Sequence, residues 1–232
     1  MIPTLGRIGF RAGLAAFAAT VAYDIVQILQ VVGVIHFPLD EILIFGTSLC
    51  IVLPFVLETL AFHHSSPVDK RFWTHAALIF TTMYAVFGTA NYVIQLTTVI
   101  PAKVRGAADT VRFLEQTPHS LLWDFDAVAY IAMGLTTLVI IPALRNTGVE
   151  RRVRIACMAN GVATVLAGIV YFYPTYSYKL LLLGFPWGIT APLFMLLLAI
   201  ALRTRDSEGA AQPAPAAGGR SGLDGRLAGE GS

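Results

Sequence analysis

Three carboxylates, Asp24, Glu58 and Asp126, lie deep inside apolar stretches of this chain, while Asp124 stands at the edge of one. An ionised side chain at the centre of a hydrocarbon layer costs at least about 2.5–3.5 kcal/mol on insertion scales. Each must therefore be protonated, reached by water or bound to an ion. Asp24 is followed by Gln27 at i+3 and Gln30 at i+6, spacing that sets all three on one helix face. Asn91 and Gln95 form a second polar stripe, and Asp126 is followed at i+4 by Tyr130. Trp187 falls in the broken segment Gly184–Phe185–Pro186–Trp187–Gly188, with Pro192 beyond it. Glu58 ends a separate stripe, Gly46, Cys50, Pro54 and Glu58, at steps of four.

Carboxylates among amides and aromatic rings suit two chemistries. In the first, Asp24 holds a proton or a cation in a cavity lined by Gln27, Asn91, Gln95, Asp126, Tyr130 and Trp187. In the second, Asp24 and Asp126, with Glu58 as a third catalytic candidate, transfer protons to and from a lipophilic substrate while aromatic faces stabilise cationic intermediates. No lysine or arginine lies deep enough in the apolar stretches to neutralise them.

The elements that must position these residues are six apolar stretches, at 12–35, 42–62, 72–100, 121–144, 153–173 and 179–202. Each reaches the ~20 residues a helix needs to cross a bilayer. The chain is 56% hydrophobic and 13% charged, with a mean hydropathy of +0.70. Helices are required, because runs such as Leu180–Leu183 are apolar on all sides and lack the alternation of barrel strands. The first stretch runs on to Ile35, longer than a signal-peptide core, and reads as an uncleaved helix. The expected fold is an all-α membrane protein, a six-transmembrane-helix bundle with short loops over 1–205, followed by a disordered Gly/Ala/Pro-rich tail over 206–232. Within it, Pro54 is expected to kink the second helix, and Gly33, Gly88, Gly134, Gly161 and Gly168 to allow close helix packing. The segment 102–116 reads as an interfacial helix or a plain loop, and the aromatic run Tyr171–Tyr178 as an interfacial belt. Cys50 and Cys157 read as small core residues.

Basic residues set the expected orientation. Ten lie close to span ends beside the termini and in the second and fourth loops, against Lys103, Arg105, Arg112 and Lys179 on the other side. The positive-inside rule places both termini in the cytoplasm of a multi-pass cell-membrane protein. The Ala- and Gly-rich tail suggests a GC-rich genome and a bacterial inner membrane. A net charge of +2 excludes nucleic acid as an expected partner; membrane lipids and a small lipophilic molecule or cation remain. No cofactor is expected, since no histidine pair lies deep enough for haem and no phosphate-binding or dinucleotide motif is present. No metal is expected either: His63 or His64 with His75 and Glu58 would suit zinc by type, but not by spacing.

The polar residues of the first, third, fourth and sixth stretches converge on one half of the bilayer and predict a cavity open to the outside. Binding or transport of a small molecule or ion is the leading function class. An intramembrane carboxylate enzyme is the alternative, and an accessory or sensory membrane subunit the third.

Overall fold

The computed structural model describes residues 5–211, and the described residues contain helices and no strand. Six helices are long and apolar enough to cross a membrane. These are α1 (Leu5–Val31), α2 (Leu39–His64), α3 (Arg71–Ile94), α4 (Leu121–Val139), α5 (Gly148–Phe172) and α6 (Phe185–Ala211). The molecule is thus a polytopic helical membrane protein. Lipid-facing positions such as Leu53, Val86, Val162, Val165 and Ile189 are apolar and exposed, as a hydrocarbon solvent requires.

Local chemistry fixes the helix ends. α1 stops where Gly33, at φ +71°, turns the chain left-handed and its N–H bonds back to the Gln30 carbonyl. Asp40 and Glu41 occupy the first turn of α2, where carboxylates suit the helix dipole. Ser120 caps α4 by accepting from the Trp123 N–H. α3 runs on through a π-helical turn, Gln95–Val99, into Ile100–Val104. α6 is preceded by one helical turn, Tyr178–Leu181, and a 3-10 turn, Leu182–Gly184.

Expected boundaries shift most at the two ends of the chain. The first helix covers 5–31 rather than 12–35, its far end being a turn. The last helix continues past 205 to Ala211, so the expected tail is helical over 206–211; residues 212–232 lie outside the described residues.

The helices form a closed ring. Each packs on its neighbours in the chain, and α6 closes the circle against α1. That closing seam depends on Gly6, Gly9 and Gly13 of α1. A Cβ at Gly6 would lie 2.5 Å from Asp206 Cβ, and one at Gly9 would lie 2.7 Å from both Ala61 Cβ and Leu202 Cδ1. At Gly13 it would meet the Glu58 carboxyl and Ala199. The packing glycines are therefore partly others than expected: Gly134 and Gly161 do serve, between α4 and α5, but Gly168 faces open space and Gly33 makes a turn. Cys157 is buried as expected, whereas Cys50 is exposed on the lipid-facing side of α2.

At the end of the bundle holding the α2–α3 and α4–α5 connections, Glu150 ties three elements together. Its Oε1 accepts from Arg145 Nε (2.7 Å) and Arg205 Nε (2.9 Å), and its Oε2 from the Arg145 backbone N–H (2.6 Å) and Arg205 Nη2 (2.9 Å). Arg205 also donates to the Ser65 carbonyl and stacks 4.7 Å over the Phe62 ring. Hydrogen bonds to Glu150 and then Glu208 hold the Arg145 guanidinium above its ordinary pKa. Glu58, in the same half, is fully buried, and among the described residues neither of its carboxyl oxygens has a hydrogen-bond partner.

Candidate aromatic and carboxylate cavity

At the opposite end, where the α1–α2, α3–α4 and α5–α6 connections lie, the helices part around a cavity of about 690 Å³. That is ample for a small organic molecule. Asp24 and Gln27 of α1, Gln95 at the end of α3, Asp126 and Tyr130 of α4, and Trp187 of α6 all line it. Two corrections apply. Asn91 is not in the wall: it is fully buried behind Asp126. The wall also draws on α2, through Ile44 and Phe45, and on α5, through Ala167, Val170 and Tyr171, so six helices contribute rather than four. Glu58 is not among the lining residues, which leaves Asp24 and Asp126 as the pair of carboxylates brought together.

These two carboxylates differ in their surroundings. Asp126 is buried and accepts four hydrogen bonds. Oδ1 accepts from Tyr92 Oη (3.2 Å) and Asn91 Nδ2 (3.4 Å); Oδ2 accepts from Tyr171 Oη (2.5 Å) and Gln116 Nε2 (3.0 Å). A carboxylate offers about four lone-pair directions, so its capacity is filled. Asp24 is half-buried, and among the described residues no side chain bonds its carboxylate. Gly188 of α6 makes room for it, since a Cβ there would lie 3.0 Å from Asp24 Oδ1.

Aromatic rings enclose the space beside Asp24. Trp187 meets Tyr130 edge to face at 4.6 Å and Tyr23 at 6.4 Å. The Tyr130 hydroxyl donates to that of Tyr23 at 3.1 Å. Trp123 packs 4.7 Å from Tyr171 and donates from Nε1 to its carbonyl at 3.3 Å. Trp187 Nε1 is buried and has no hydrogen-bond partner among the described residues.

The chain between α3 and α4 roofs the cavity. It forms a 3-10 turn, Ala108–Leu114, rather than an interfacial α-helix, and buries Val111 against Val99 and Ala102. Two amides hold it down: Gln95 Nε2 donates to the Leu114 carbonyl (2.7 Å), and Gln116 reaches in to Asp126. The π turn beginning at Gln95 shifts the helix register where that amide is needed, a common use of such bulges. Lys103, expected in a loop, caps the end of α3 and lines the cavity rim, paired with Glu41 at 2.6 Å and Glu115 at 2.9 Å.

Sequence reasoning missed Tyr23, Trp123, Tyr171 and Gln116. Tyr171, expected in the interfacial belt, lines the cavity and bonds Asp126, while its neighbour Tyr173 is exposed. The available signal was spacing: Trp123, Asp126 and Tyr130 share one helix face at i, i+3 and i+7. His63 bonds the Thr74 hydroxyl and packs near His64 and His75, and among the described residues no three His, Cys, Asp or Glu gather as metal ligands. Neither a family model, a curated protein nor a solved structure matches this chain.

Proposed function

We propose that the cavity binds a small lipophilic cation, with Asp24 as its counter-charge, and that the protein carries this ligand across the bilayer. One observation carries the reading. Of the carboxylates lining the cavity, Glu41 and Glu115 are paired with Lys103 and Asp126 is saturated by four donors, whereas Asp24 has no partner among the described residues. An unpaired carboxylate beside the faces of Tyr23, Tyr130 and Trp187 is the combination that attracts an organic cation. Pro192, inside α6, removes one backbone hydrogen bond and supplies a helix weakened one turn beyond the wall residue Gly188. With both termini cytoplasmic, as the basic residues argue, the cavity faces the outer side of a cell membrane.

The acid–base reading is less well supported. Asp24 and Asp126 share the cavity, but the lone pairs Asp126 would need to take a proton are already engaged. The test uses tetraethylammonium binding to the purified protein, followed by tryptophan fluorescence, and uptake into proteoliposomes. The unsubstituted chain binds, and Asp24→Asn weakens binding at least tenfold and abolishes uptake. Unchanged binding and uptake in Asp24→Asn would remove Asp24 from the mechanism.

A further inference from the structure

The wall of the cavity is incomplete on one side. Between the last turns of α1 and the first turn of α6 it is lined by Ile28, Val31, Leu182, Phe185 and Ile189. The same side chains are 53%, 64%, 70%, 61% and 57% exposed. Residues that line a cavity and also face outward border an opening. The two helices touch closely at Gly6, Gly9 and Gly13, and again where Gly188 meets Asp24. At Gly184, which itself lines the cavity, nothing among the described residues lies within 4 Å of an added Cβ. The polar rim, by contrast, is tied shut by Lys103 between Glu41 and Glu115 and by Gln30 donating to Asp40 at 3.0 Å. The way in that has no ion pair across it among the described residues is bordered by apolar side chains, with a carboxylate at its inner end.

We infer that the cavity opens sideways into the lipid between α1 and α6 and takes an amphiphile. Its cationic head lies at Asp24 among the aromatic rings, and its alkyl tail lies in the gap against the five apolar side chains. The placement of the head rests on the cation reading above; the opening rests on the wall alone. Lipid tails and an alkyl chain are equally at home there, so the ligand reaches Asp24 without its tail crossing water.

Two readouts on one set of variants test this. The first is made in nanodiscs of dibrominated phosphatidylcholine with the Trp73→Phe/Trp123→Phe chain, which leaves Trp187 as the sole fluorophore. Trp187 is 5% exposed, so bromine on acyl chains reaches it through the gap. Filling the gap with Val31→Phe and Gly184→Phe relieves quenching by at least half, the second addition going into open space. Quenching that the fillings leave unchanged would overturn the opening. The second readout, in the chain with all three tryptophans, compares dodecyltrimethylammonium with tetramethylammonium. The fillings weaken the dodecyl compound at least tenfold and leave the tetramethyl ion within twofold; equal losses would overturn the placement of the tail. If neither ion binds the unfilled chain while the fillings still relieve quenching, the cation reading and the head placement fall and the lateral opening stands.

Discussion

Asp126 is the residue on which the inner wall of the cavity depends. Tyr92, Asn91, Gln116 and Tyr171 all point donors at it from three other parts of the chain. Replacing it by alanine strands those donors in an apolar interior, at about 1–3 kcal/mol for each one left without a partner. Asp126→Ala is therefore expected to lower the thermal midpoint in detergent well below that of Tyr171→Phe, which removes one bond; equal midpoints would show that the network does not hold the wall. Asp24→Asn, by contrast, is expected to leave the midpoint unchanged, because no side chain among the described residues bonds the Asp24 carboxylate. The polar half of this site was legible in the sequence. Asp24, Gln27, Gln95 and Asp126 stand out because an apolar stretch tolerates few such groups. The aromatic half was not, since a tyrosine at a membrane interface has a sufficient reason to be there whichever way it points. Only the fold turns Tyr171 inward and brings Gln116, from a loop, onto a carboxylate ten residues along the chain.

Among the elements, α1 carries the sharpest contrast. Its glycine stripe lets α6 approach closely, so Gly9→Ala forces apart Ala61 and Leu202 and is expected to destabilise by about 1–3 kcal/mol. The same change at Gly168, which faces open space on α5, is expected to be neutral or stabilising by up to about 1 kcal/mol, the helix propensity of alanine over glycine. Chemical unfolding of both variants in mixed micelles checks the pair, and similar losses would show that α1 does not pack through its glycines. Helices as such were readable from the apolar runs, because hydrocarbon allows little else. Their ends were less so. α1 ends where Gly33 turns, inside what reads as an unbroken apolar run, and α6 persists into a polar segment because Arg205 is anchored by Glu150, 55 residues earlier in the chain. No local pattern announces an anchor of that kind.

For the whole molecule, the Glu150–Arg205 contact joins the end of the ring opposite the cavity. Removing one partner of a buried ion pair costs about 3–5 kcal/mol, and Arg205→Ala is expected to fall in that range and to loosen α6 from α2 and α5 alike. Limited proteolysis cutting beyond Leu202 faster than in the unsubstituted protein is the accompanying sign. Reporter fusions are expected to place both termini in the cytoplasm; an exported end would invert the cavity. Closure of α6 on α1 also has a consequence for biosynthesis. The ribosome delivers α1 first and α6 last, yet the two are partners, so five helices already inserted in the bilayer form only an unclosed arc. Asp24 then faces lipid, still waiting for the helix that covers it. A nascent chain halted before Phe185 should accordingly be a substrate for membrane quality-control proteases, and supplying the missing α6 as a separate polypeptide should rescue it.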